Sequence, residues 1–240
     1  MKQIWIIAKR ELRSLFNSLL AYIIIIIFLG FSGFFTWLFG SDIFFTGQAS
    51  LRPFFDVAYW TFFFFIPAMT MKLLAEENKT GTIELLMTKP VTDWQVVTGK
   101  FLSVLLLIII ALILSLPYYI TVANIGPVDH GAVCSGYLGL ILMSAAYISI
   151  GMFASGITNN QIVAFLVALA IGFLFHFLFK IFSFAFSGTI AQLFDFLSLE
   201  SHYDSISRGV IDSRDVIYFL SIIFIGLFSS EAVLAKRNLV

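Results

Sequence analysis

The chain has 240 residues, 60% of them hydrophobic and only 12% charged, with as many acidic as basic side chains and a mean hydropathy of +1.00. A soluble domain carries about 25% charged residues, whereas the apolar blocks here reach about 20 residues, the length that crosses a hydrocarbon core of roughly 30 Å. A soluble globular class is excluded, zero net charge removes any bulk electrostatic argument for nucleic acid, and the single Cys134 excludes an intrachain disulfide or a cysteine-based metal cluster.

Residues 2–18 place Ile4, Ile7, Ala8, Leu12 and Leu15 at helical spacing, with Lys2, Lys9, Arg10 and Arg13 on the polar side. This pattern predicts an amphipathic helix lying at the membrane surface. A signal peptide is the competing reading, but no small-residue cleavage pattern follows the apolar run. Six spans are predicted, at about 21–39, 57–74, 99–122, 136–157, 162–182 and 216–233. Pro67 lies inside the second and Pro117 near the end of the third. The fourth carries Gly136, Gly139, Ser144, Ser149, Gly151, Ser155 and Gly156. Small residues let helix backbones approach closely, so this span is expected inside the bundle. Residues 184–215 mix an amphipathic piece at 189–199 with a polar run before the last span, so short helices are expected there. No repeat or linker divides the chain, and 1–240 reads as one all-α membrane domain.

The most polar stretch between spans is 75–100, AEENKTGTIELLMTKPVTDWQVVTGK. Thr82 can cap a short helix with Glu84 in its first turn, and Lys89-Pro90 would end it. A second helix is expected to start at Thr92, which has capping-box spacing to Gln95, with Val91 stapled onto Val96. Two caps and a proline describe a stiff elbow. It reads either as a docking element that carries force or as an ordinary well-capped loop.

Basic residues set the expected orientation. With the amino terminus inside, ten lysines and arginines fall on the inner side, and Arg52, Lys180, Arg208 and Arg214 fall outside. Residues 75–98 then face the cytoplasm, 184–215 face outward, and both termini are cytoplasmic.

The chemistry read from the sequence consists largely of exclusions. Gly99-Lys100 is followed by Phe101 and lacks the upstream glycine of a phosphate-binding loop. No nucleophile elbow, HExxH or paired cysteine is present, so no catalytic or metal-binding residue is expected. The acidic residues lie in loops or at span ends. His176 is the one ionisable group well inside a span, either a functional group or, as favoured, a neutral imidazole hydrogen-bonded to a neighbouring helix.

The run from Glu76-Glu77 through Gly81-Thr82-Ile83-Glu84-Leu85-Leu86, Thr88, Pro90, Trp94 and Gly99-Lys100-Phe101 resembles the loop between spans two and three of ABC-2 type transporter permeases. Residues 205–221, SISRGVIDSRDVIYFLS, resemble that family's approach to the last span, with Arg208, Gly209, Asp212, Arg214 and Asp215 as the matching motif. Arg52-Pro53-Phe54-Phe55, Ile66-Pro67-Ala68 and the run from Asn160 to Phe165 are similar to the GldF subgroup, the permease subunits associated with gliding motility.

The resemblance implies a half-transporter in a bacterial cytoplasmic membrane, binding no nucleotide itself, with ATP and Mg bound by a partner ATPase subunit. It implies a second permease subunit, alike or different, with a GldG-like protein as one such partner. It makes Gly81, Thr82, Ile83, Glu84, Leu85, Leu86, Met87 and Pro90 the coupling helix that docks the ATPase. It makes the helix with Lys9, Arg10, Glu11 and Arg13 the connector. Export associated with gliding motility is the implied function. A non-transporting membrane anchor or signalling subunit that links an ATPase to a surface machine is the alternative.

Overall fold

The structure is a computed structural model that describes residues 2–39, 48–81 and 91–237, with side chains as far as 236. Among the described residues all regular structure is helical. The elements are α1 (Lys2–Asn17), α2 (Leu19–Trp37), α3 (Arg52–Thr70), α4 (Ala75–Thr80), α5 (Asp93–Leu114) and α6 (Leu116–Ile125). They continue with α7 (His130–Gly156), α8 (Gln161–Phe173), a π-helical turn (Leu174–Leu178), α9 (Phe179–Ala185), α10 (Thr189–Leu197), α11 (Leu199–Ser207) and α12 (Ser213–Arg237). Six helical segments are long and apolar enough to cross a membrane: Leu19–Trp37, Arg52–Thr80, Asp93–Ile125, His130–Gly156, Gln161–Ala185 and Ser213–Lys236. The six-span, all-α expectation holds.

The fourth span, α7, is the axis of the bundle. Its apolar window is 78% buried, against 22% for the fifth span, and α3, α5, α8, α11 and α12 all pack on it. Its small residues explain why. A Cβ on Gly136 would lie 2.5 Å from the Phe55 ring, and one on Gly151 would collide with Thr70 Oγ1. On the other side Gly226 of α12 sits against Ser149. Without a hydrophobic effect between helices in lipid, such close approach supplies the packing energy. Aromatic rings fill the gap to α2 and α3, where Phe28 stacks on Phe62 at 4.8 Å and meets Phe54 edge-on.

The fifth span changes pitch at the π-helical turn, which turns His176 inward and leaves it fully buried. Its Nδ1 lies 2.6 Å from the Tyr147 hydroxyl of α7, and its ring stacks on Tyr59 at 4.1 Å. This is the inter-helix hydrogen bond expected of a neutral imidazole.

Spans two, three and four begin five or six residues before the sequence reading, and two further differences have a clear physical cause. The third span breaks at Ser115, just before Pro117, because a proline cannot continue the amide ladder. The second span does not stop near residue 74. After a turn over residues 71–74 it resumes as α4 and ends at Gly81, whose φ of +69° is a left-handed C-cap that favours glycine.

Replacing Gly151 by Ala is expected to cost about 1–3 kcal/mol through overpacking against Thr70. Thermal melting of the detergent-purified chain checks this. Thr70→Ala in the same chain should recover part of the loss, and an unchanged melting temperature for Gly151→Ala would rule the contact out as a determinant of packing.

Candidate functional site

The amino-terminal helix α1 buries Ile7, Ala8 and Leu15, as its spacing predicts. What covers that face is protein rather than lipid alone, because α1 lies along α5. Gly99 permits the contact: a Cβ there would sit 2.7 Å from Ile7 Cγ2 and 3.2 Å from the Ile4 carbonyl. Ile7, Leu74, Val96 and Leu234 form a small apolar cluster that Val91 joins. The α5 start has the expected capping box, with Gln95 N donating to Thr92 Oγ1 at 3.3 Å and Thr92 N donating to Gln95 Oε1 at 3.2 Å.

Two turns into α5, Lys100 is 1% exposed. Its ammonium donates to Glu77 Oε1 of α4 at 2.8 Å and lies 3.6 Å from Glu11 Oε1 of α1. Arg10 holds the same Glu11 oxygen at 2.7 Å. One buried cation therefore ties together α1, the end of the second span and the start of the third. Burial pushes the Glu11 carboxyl up, but Lys100 and Arg10 outweigh it and hold it below its ordinary range. A cleft of about 470 Å³ lies beside the cluster, lined among others by Ser14, Lys72 and Glu76.

The fourth span holds α4 from its other side. Ser155 Oγ accepts Leu74 N at 3.0 Å and Ala75 N at 2.9 Å while donating to the Met71 carbonyl at 2.9 Å. That one hydroxyl satisfies the backbone groups freed by the turn at residues 71–74. Asn78 Nδ2 donates to the carbonyls of Gly156 and Thr158, closing the end of α7. The residues 82–90 thus leave from an anchored helix and return to a capped one. Thr82, Ile83, Glu84, Leu85, Leu86, Met87 and Pro90 lie outside the described residues.

On the opposite face, α10 and α11 form the expected short helices between the last two spans. His202 Nε2 faces the Phe196 carbonyl at 2.8 Å, so it donates there, and Nδ1 meets Asp215 Oδ1 at 2.7 Å. Tyr218 stacks on His202 at 3.9 Å and donates to the Leu197 carbonyl at 2.6 Å.

Residues 5–227 match the model of the ABC-2 family transporter proteins. The chain belongs to that family. Among curated proteins nothing matches. Membership makes this chain a membrane-embedded ABC transporter subunit, of a family that works with an ABC ATPase.

In this ABC-2 subunit the outer motif does not gather into one site. Arg208 pairs with Asp204, Gly209 makes a left-handed turn with φ +96°, and Asp215 turns inward to His202. Asp212 Oδ1 accepts Arg214 N at 3.0 Å, and that bond holds its carboxyl below its ordinary range. These residues build the junction between α11 and α12. Of the connector residues, Lys9 and Arg13 face outward, and only Arg10 and Glu11 join the cluster. Ser155, Asn78 and Lys100 were missed as a group. Only Lys100, a charge opening an apolar run, carried a sequence signal.

Lys100→Met removes the shared cation and leaves two carboxylates facing each other. The expected cost is about 2–3 kcal/mol, below that of a fully buried pair because Glu77 and Glu11 keep some water contact. A chain also carrying Glu77→Gln and Glu11→Gln should melt closer to the parent. Because the folded Glu11 carboxyl is depressed, its contribution is complete above the ordinary carboxylate range and lost as pH falls through its folded value. Melting curves at falling pH should therefore drop less steeply for Glu11→Gln than for the parent.

Proposed function

We propose that the chain is the permease half of an exporter worked by a separate cytoplasmic ATPase, which docks on residues 82–90. The observation that carries this reading is the Lys100 cluster. Both flanks of 82–90 are fastened, α4 by Ser155 and Asn78 and α5 by its capping box, and Lys100 links the two flanks to the connector. Force applied to a segment held in this way passes into the second and third spans instead of being absorbed by slack backbone.

In this reading the face bearing both termini is cytoplasmic, in the bacterial inner membrane, and ATP and Mg are held by the partner. Gly81, Thr82, Ile83, Glu84, Leu85, Leu86, Met87 and Pro90 form the docking segment. Ile83, Leu86 and Met87 share a helical face by their spacing and supply the apolar contact. Pro90 keeps the elbow stiff. A second permease subunit, another copy or a GldG-like protein, completes the pathway. The resemblance of 52–55, 66–68 and 160–165 to GldF supports an association with gliding motility.

Co-purification with the partner ATPase tests the docking step. Ile83→Asp and Leu86→Asp should each abolish capture, whereas Lys100→Met and Pro90→Ala should retain it and lose coupled activity. Undiminished capture by both aspartate variants would overturn the docking role. In reconstituted vesicles, ATP hydrolysis that never responds to any exported cargo would favour the anchor instead.

A further inference from the structure

A groove runs along the membrane face of the last two spans. Spans five and six each pack on span four, so α7 forms the floor. Phe153 lines the floor, Ile171 and Phe175 one wall, and Ile222 and Ile225 the other. Its volume is about 570 Å³. On α12 it extends from Arg214 to Ser229, about 22 Å at the helical rise per residue. That is more than half of a hydrocarbon core roughly 30 Å thick.

One charged side chain lines this groove, Arg214, at the end of the span. Four basic residues lie toward this face, and three of them have carboxylate partners. Arg52 and Arg208 face Asp204, and Lys180 faces Asp195. The Arg214 guanidinium makes no ion pair among the described residues. Asp215 is engaged with His202, and Asp212, which accepts from Arg214 N and Ser213 Oγ, feels the Arg214 charge without forming an ion pair with its guanidinium. The groove thus presents an apolar trough with a single unpaired cation at its mouth.

We propose that this groove is a lipid site, holding an acyl chain along α12 with an anionic headgroup on Arg214. The pattern of one charge and a long apolar trough matches the head and tail of a single amphiphile. A guanidinium binds a phosphate through two parallel N–H···O bonds, and an anionic headgroup carries no cation of its own to offset that attraction, as the choline of a zwitterionic headgroup does. The trough opens sideways toward the bilayer, so the occupant enters by lateral diffusion. This site does not depend on how the ATPase docks.

The test uses the full chain purified in mild detergent and exposed to equal amounts of phosphatidylglycerol and phosphatidylcholine, with retained lipid read by native mass spectrometry. The expected result is one phosphatidylglycerol retained per chain, at least tenfold over phosphatidylcholine. Arg214→Gln should erase that preference, and Ile225→Trp, which fills the trough, should reduce retention of both lipids. Arg208→Gln, on the same face but outside the groove, should behave as the parent. Equal retention of the two lipids by the parent, or an unchanged preference in Arg214→Gln, would overturn the assignment. A second copy seated in the groove would overturn it too. That outcome would be read as disulfide-linked dimers of a chain carrying Cys134→Ser and Ile225→Cys in membranes, and its monomeric behaviour there supports the lipid.

Discussion

The ammonium of Lys100 constrains everything on the face that carries the termini. An ammonium taken out of water costs several kcal/mol unless carboxylates and hydrogen bonds replace its hydration. Lys100 is 1% exposed, and the two carboxylates that meet it come from different elements, Glu77 of α4 and Glu11 of α1. Neither α4, six residues long, nor α1 is held by its own sequence alone. A helix shorter than about 12 residues is marginal in water, so α4 depends on this pair and on the caps supplied by Ser155. Gly99, beside the lysine in sequence, is what lets α1 come close enough to bring Glu11 within reach.

The opposite face is held differently. There the buried contacts include aromatic side chains that end on backbone carbonyls, Tyr218 on Leu197, Tyr203 on Phe55 and His202 on Phe196, while ion pairs such as Lys180–Asp195 lie nearer the surface. Between the two faces runs α7, whose glycines and serines bring its neighbours close to its backbone. One face is therefore organised by a charge shared between three elements, and the other by fixed donors aimed at fixed acceptors. A shared charge can change partners, whereas a hydroxyl locked on one carbonyl holds its register.

What the sequence made legible follows from how local each signal is. The spans are single runs, the capping box is two residues three apart, and the small residues of α7 are concentrated in one span, so all three could be read directly. Lys100 could be seen as a basic residue at a span end and as part of a family-like run, but not as a buried charge. That its charge is buried depends on Glu77, 23 residues away, and Glu11, 89 residues away. Ser155 looked like another small packing residue, because nothing local reveals that its hydroxyl caps a helix 80 residues earlier. The motif from Arg208 to Asp215 was read from resemblance, which says nothing of what each side chain meets. In the fold, successive side chains on a turn and a helix start point to different neighbours, and so Arg214 and Asp215 part company.

The unequal distances at Lys100 bear on how the proposed drive would work. The ammonium is 2.8 Å from Glu77 and 3.6 Å from Glu11, so one contact is closed and the other slightly open. An ammonium carries three donors on a flexible stem. When α4 and α1 move relative to each other by an ångström or so, the lysine can tighten on one carboxylate as it loosens from the other. It is never left unpaired in a buried site. A lone buried ion pair would resist such motion by the full cost of breaking it. Two acceptors from two elements make the joint strong against separation yet compliant in sliding, which a permease moved by its neighbour's hydrolysis requires of the place where the push arrives.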